Sequence, residues 1–291
     1  MAKREVKSPK GAQIPSPAPP RSEEREFAEA IKYMIEQMEQ RFKNQVFGQL
    51  HKSTVEKFHT EDALPDELRR MFADQQIGNF ANVFLNLAKK VRRKLMKQFD
   101  DDRLDDLAKR ITGKVNNRNA KVFYGRAARR IGIDRAELEA TEGLTYQINA
   151  YKLETAQWVK KIRDETLEQW TASTLRSMAE GRGLDDIMQD FSGMVEKRKG
   201  HAEMVARTQI SSFNSFVTNA RARNLGIEKA IWQTSEDERV RTCHAERHGR
   251  EFDLSKGLYS SCDGKTLQPG VDYNCRCISI LKVPSMNEEA A

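Results

Sequence analysis

From Glu23 onward, apolar residues return at spacings of three and four, so that Phe27, Ile31, Met34, Met38, Phe42 and Val46 fall on one helical face. A second stripe runs through Ile77, Phe80, Phe84, Leu87, Val91, Leu95 and Phe99. Asp101 and Asp102 read as the cap of a further helix holding Leu104, Leu107 and Ile111. The longest stripe joins Leu144, Ile148, Tyr151, Trp158, Ile162, Trp170 and Met178 and stops at Gly181 and Gly183. Beyond it, "LDDIMQDF" places acids in the first turn of a shorter helix, as the helix dipole prefers. One more helix spans about 202–224, closed by Gly226. An amphipathic helix in a bundle must bury such a face, so these stripes predict packing and not a cofactor pocket.

After Gly226 the texture changes. "KAIWQTS" is strand-like, "CISILKV" is β-branched and apolar, and Asp263-Gly264 and Pro269-Gly270 mark turns between them. The expected fold is therefore mainly α, an elongated helical region followed by a small C-terminal α+β domain. Residues 1–22 form a flexible tail, 23–130 a helical region with a basic segment, and 131–225 a second helical region, entered where "GIDRAELEATEG" breaks the pattern. Residues 226–285 form the α+β domain and 286–291 a short tail. Five of the eight prolines lie in residues 1–22, which hold too little apolar surface to order themselves. A domain of about sixty residues has a marginal core and often needs extra ties.

Composition adds a bias in charge. Of 291 residues, 38% are hydrophobic and 32% charged, with a net charge of +7, which favours polyanionic partners without specifying a fold. The excess is concentrated: residues 89–130 hold fifteen Lys or Arg against five Asp. In "KKVRRKLMK", Val91 and Leu95 lie one turn apart on the buried face, leaving Lys89, Arg92, Arg93 and Lys97 on the solvated side. Such a face can hold double-stranded DNA through phosphates alone, and it equally reads as a plain solvated face, since no aromatic platform accompanies it. No apolar run is long enough for a membrane span, and the first residues lack the apolar segment of a secretory signal. The expectation is a protein made in a reducing cytosol, with no membrane partner.

All four cysteines and two of the five histidines lie within 241–277. One reading is a structural zinc site drawn from Cys243, His244 or His248, Cys262, Cys275 and Cys277. Its Cys275-Arg276-Cys277 pair is more closely spaced than usual, although an extended strand would put both thiols on one face. A second reading is a disulfide, such as Cys262 with Cys275, against which a cytosolic origin favours free thiols. A third is a metal-dependent nuclease or other hydrolytic centre using His244 with Asp237 or His248.

The fourth reading rests on an ordered set of pieces: Ala206, Arg207 and Thr208; Trp232 and Thr234; Asp237, Arg239, Val240 and Arg241; His244; Gly249; and Pro269, Gly270, Asn274, Cys275, Arg276 and Cys277. In that order they resemble the phage Mu protein F-like head-morphogenesis family, minor head proteins of tailed bacteriophages. The resemblance covers residues 202–283, and the helices from Leu144 to Met194 are similar in layout. Gln209 stands where an acid is common, Thr242 where proline is frequent, and Cys243 and Cys262 have no place in the pattern.

The resemblance implies a portal-associated virion protein that is not an enzyme. It would act in head assembly and in DNA packaging or ejection, among portal and other head or scaffolding proteins. Its place would be the virion, and the host cytoplasm during assembly. It implies no catalytic residue and no cofactor; a structural zinc stays open, as does contact between the basic segment and viral DNA. Under it the motif residues are structural: Arg239 and Arg241 face one side of an extended segment, and Arg207, Arg276 and Asp237 form a partly buried ion-pair network. His244 and the thiols pack the small core.

Overall fold

The computed structural model describes residues 12–50, 66–139 and 142–285. In chain order it contains β1 (Gln13–Pro15), α1 (Arg21–Phe42) running into a π-helical turn (Lys43–Phe47), α2 (Asp66–Gln98), α3 (Asp101–Ile131), α4 (Arg135–Glu139), α5 (Thr145–Ala179) and α6 (Leu184–Asn224). There follow β2 (Lys229–Gln233), the single turn α7 (Thr242–Ala245), β3 (Glu251–Asp253), β4 (Leu258–Ser260), β5 (Lys265–Leu267) and β6 (Ile278–Lys282). The chain is mainly α, with β2 to β6 in a C-terminal α+β part whose sheet the N-terminal β1 joins.

The glycine signals mark their helix ends as expected. Gly181 and Gly226 both have positive φ, at 72° and 75°. The next residue's N–H closes each end, Arg182 onto the Ser177 carbonyl and Ile227 onto that of Ala222. Two details differ. Asp100, not Asp101 or Asp102, caps α3 by accepting the Arg103 N–H at 3.0 Å. The two helices expected after Gly183 are one helix of 41 residues. Gly193 and Gly200 interrupt its sequence, but a Cβ on either would meet nothing within 4 Å. Their intrinsic cost, about 1 kcal/mol each, is offset by the apolar face that α6 buries.

The compact units cut across the linear partition. A helical unit comprises Glu29–Asp106 and Ala156–Glu203, and a mixed unit comprises Met1–Ala28, Leu107–Thr155 and Met204–Ala291. The helical unit is centred on aromatic rings. Phe42 stacks on Phe191 at 5.2 Å and meets Phe47, Phe84 and Trp170 edge-on. Its buried Arg163 binds the Phe99 carbonyl, Asp101 and Asp164.

The mixed unit is built on an antiparallel sheet of order β1-β6-β2-β3 and a separate β4-β5 hairpin. Alternation puts Ala230 and Trp232 of β2 with Ser279 and Leu281 of β6 on the buried side. They pack with Phe252, Leu254, Cys275 and Cys277, and with Phe123, Tyr124 and Ala127 of α3 and Leu138 of α4.

Residues 12–22 are not tail, which corrects that part of the expectation; residues 1–11 and 286–291 lie outside the described residues. Ile14 is fully buried, Ser16 donates its N–H to Ser279, and Arg126 binds the Pro15 and Ser16 carbonyls. Pro15 is tolerated because β1 is an edge strand. Composition misjudged this segment because its order comes from β6, more than 260 positions along the chain.

Candidate functional site

A loop from Pro269 to Cys277 carries the site, and three hydroxyls of α6 hold it. Ser215 donates to the Pro269 carbonyl at 2.6 Å, Ser212 to that of Val271 at 3.1 Å, and Ser211 to that of Cys275 at 3.0 Å. Gly270 has φ +85°, and an added Cβ would lie 3.2 Å from Ser211 Oγ. Asn274 takes the left-handed conformation, which asparagine tolerates, and donates its N–H to Thr208 Oγ1. The motif's Thr208, Pro269, Gly270 and Asn274 are thus one loop-fixing device. Ser211, Ser212 and Ser215 belong to it, and the sequence reading missed them. Their signal is the polar "SSFNS" run inside an otherwise apolar helical face.

The loop delivers two thiols to one imidazole. His244 Nδ1 lies 3.5 Å from Cys275 Sγ and 3.5 Å from Cys277 Sγ, while its Nε2 lies 3.2 Å from Asp272 Oδ2. Asp272 is in turn held by Arg241 at 3.0 Å, and the Gly270 N–H donates to Cys275 Sγ. His244, Cys275 and Cys277 are all at most 4% exposed. The Cys277 thiol donates to Cys275 and, aided by His244, pulls the Cys275 thiol below the usual range; Cys277 is correspondingly pushed up. The hydrogen bond to Cys275 raises His244 above the ordinary imidazole range. Cysteine, histidine and aspartate stand in the order of a nucleophile, its base and an orienting acid. A cavity of about 10 Å³ borders Cys277.

Beside this cluster stands a second one, centred on Arg247, which sequence reasoning also missed. Arg247 is fully buried and donates to the carbonyls of Cys243, Leu258 and Lys265 and to both Asp263 oxygens. Its guanidinium lies 5.4 Å from the centre of the Trp232 ring. The Arg247 hydrogen bond lowers the Asp263 carboxyl to about 2. Cys243 and Cys262 are disulfide-bonded, with Cα atoms 5.3 Å apart, tying α7 to the β4-β5 loop. This corrects both the Cys262–Cys275 pairing and the expectation of four free thiols. Cys275 lies instead 3.5 Å from His244 Nδ1.

The expected ion-pair network divides. Arg276 forks onto Asp237 at 2.6 and 2.7 Å, but Arg207 turns to Glu24 at 2.8 Å and Asn274 at 3.3 Å. The Arg276–Asp237 pair is exposed, not part of the core. Arg239 and Arg241 do not alternate along a strand. Residues 237–240 form a turn, its N–H groups directed at Asp237, and Arg241 starts α7. Gly249, at φ +73°, donates its N–H to the Trp232 carbonyl where the chain turns into β3. His248 binds Thr234 at 2.9 Å and Glu236 at 3.4 Å, so the two histidines serve different partners and share no site.

In the helical unit, Lys89, Arg93 and Lys97 are exposed on α2 while Val91 and Leu95 are buried, as expected. Arg92 is half-buried and lies 3.8 Å from Glu168. Part of the remaining basic excess, in the mixed unit, is paired. Arg110 and Lys114 share Glu26, and Arg118 reaches Glu23.

Residues 168–280 match the model of the family described as phage Mu protein F like protein, so the resemblance holds over the segment that contains the whole motif. The chain is also 28% identical over 221 residues, 76% of its length, to an uncharacterized protein of Haemophilus influenzae, and spans 48% of that relative. No solved structure matches the chain.

Proposed function

We propose that the protein is a non-enzymatic minor head protein of a tailed phage, associated with the portal during head assembly and acting in DNA packaging or ejection. The family match over residues 168–280 carries the reading. The geometry supports it: the motif residues spend their hydrogen-bonding capacity on each other and on the loop they fix, and the candidate nucleophile is sealed. The cationic face of α2 is the surface for DNA, held through phosphates without sequence preference. Such a protein resides in the virion, and in host cytoplasm while heads form.

Co-purification with the portal protein, and detection in purified particles, test the assignment. Incubation with plasmid DNA and Mg²⁺ or Zn²⁺ tests the chemistry. The expected result is salt-sensitive retention without cleavage, weakened by Lys89→Glu with Arg93→Glu. Nicking that disappears in His244→Ala would overturn the non-enzymatic reading, and absence from particles would overturn the head assignment.

A further inference from the structure

We propose that His244, Cys275 and Cys277 bind one zinc ion, which cross-links α7 to the loop before β6. The three donor atoms lie within 4.8 Å of one another. With Zn–S near 2.3 Å and Zn–N near 2.05 Å, tetrahedral angles require about 3.6 Å between sulfur and nitrogen. Both sulfurs stand 3.5 Å from His244 Nδ1, close to that separation.

The surroundings are those of a ligand set. Asp272 engages Nε2, which leaves Nδ1 as the lone-pair nitrogen facing the sulfurs, the usual carboxylate–histidine–metal arrangement. Arg241 fixes that carboxylate from its far side. One N–H group attends the sulfurs: Gly270 donates to Cys275 Sγ. Two thiolates and a neutral imidazole cancel the charge of a divalent ion, so the buried assembly is neutral. Mixed sulfur and nitrogen donors suit zinc.

The close Cys-x-Cys spacing also becomes intelligible. Residues 275–277 are neither helix nor turn, Cys275 and Cys277 point inward, and Arg276 between them points outward to Asp237. Zinc completes a four-coordinate shell with a solvent molecule. The cavity of about 10 Å³ lined by Cys277, Gly270, Ser211 and Ser279 has room for one. Cys243 and Cys262 take no part, being bonded to each other.

The test uses the full chain, purified without chelator in zinc-supplemented buffer and kept free of oxygen. Elemental analysis should give one zinc per chain. Replacement by Co²⁺ should give the thiolate charge-transfer and visible absorption of a tetrahedral site, and Cys275 and Cys277 should react with a thiol reagent only after chelation. C275S and C277S should each lose the metal, the double variant C243S/C262S should keep it, and Asp272→Asn should weaken zinc affinity by about tenfold. A wild-type chain with native circular dichroism that holds well under one equivalent, its two thiols reacting freely, overturns the proposal. So does zinc uptake that survives C275S with C277S. These outcomes are independent of whether the protein enters phage heads.

Discussion

The two units solve the same problem with different materials. The helical unit closes on rings, with Phe42, Phe47, Phe84, Trp170 and Phe191 packed together, and apart from a few buried polar groups such as Arg163 its core asks of each position only bulk and apolarity. The mixed unit has strands of three to five residues and fills its interior with Arg247, Arg221, His244, two thiols and the hydroxyls of α6. Arg221 is fully buried against Asn116, Asn119 and Glu142, with Tyr124 under its guanidinium. A core of that kind is directional: each group fits one set of partners, and loss of any leaves others unsatisfied. Such a unit supports a motif of fixed identities, whereas the ring-packed unit supports only a periodic pattern.

The sharpest way to break this contrast is at Arg247. Arg247→Met removes five donated hydrogen bonds and strands Asp263, and should cost about 3–5 kcal/mol. Arg247→Lys cannot reproduce the fork and should still cost about 2 kcal/mol or more. Ile35→Leu, an equally conservative change in the helical unit, should cost under about 1.5 kcal/mol. Urea denaturation read by amide exchange on β4 and β5, and separately on α1, checks all three. Equal tolerance in both units would erase the distinction. Next in size is the Cys243–Cys262 bond, whose partners are 19 positions apart. Its reduction, or C243A/C262A, should destabilise the mixed unit by about 3 kcal/mol, measured as a lowered denaturation midpoint.

Smaller effects test the loop. Gly270→Ala places a side chain at φ +85° and against Ser211 and Ser215, and should cost about 1–2 kcal/mol. Asn274→Gly, where φ is already +53°, should be nearly neutral. Acid separates the units in another way. Asp263 is lowered from 3.8 to about 2 by Arg247, so its ionised form is preferred in the native state. Its contribution is complete above about pH 4 and disappears as pH falls through about 2. Unfolding of β4 and β5 followed between those values should show the loss, and Asp263→Asn should flatten that part of the profile.

How much of this was legible follows from the same contrast. Phe27 to Val46 and Val91 to Leu95 announced their helices because an apolar core writes its period into the chain. The Trp232 strand and the β6 run were legible from their strand-like, β-branched and apolar composition. Strands β1, β3, β4 and β5, of three residues each, are too short to show a period. Gln13–Pro15 in particular takes its order from a distant strand. The site residues were found as a motif, but their wiring was not. Charge type alone could not say that Arg207 would choose Glu24, that Arg247 among many arginines would be buried, or that Cys243 would pair with Cys262.

The smallest expected effect belongs to the motif's own ion pair, and it is the most discriminating. Arg276 and Asp237 make a bidentate contact, yet both side chains are about one-third exposed or more, where water and salt compete for each charge. Asp237→Asn should therefore leave the denaturation midpoint within its experimental scatter at physiological salt. The pair's position still matters, because it holds Arg276 outward while the neighbouring thiols turn in. If stability is indeed unchanged but association with the portal protein falls, the exposed half of the motif is a contact surface and the buried half its support. If instead Asp237→Asn destabilises the chain as much as Arg247→Met, bracing extends to the solvent-facing rim. The division between a directional interior and a surface available to a partner would then fail.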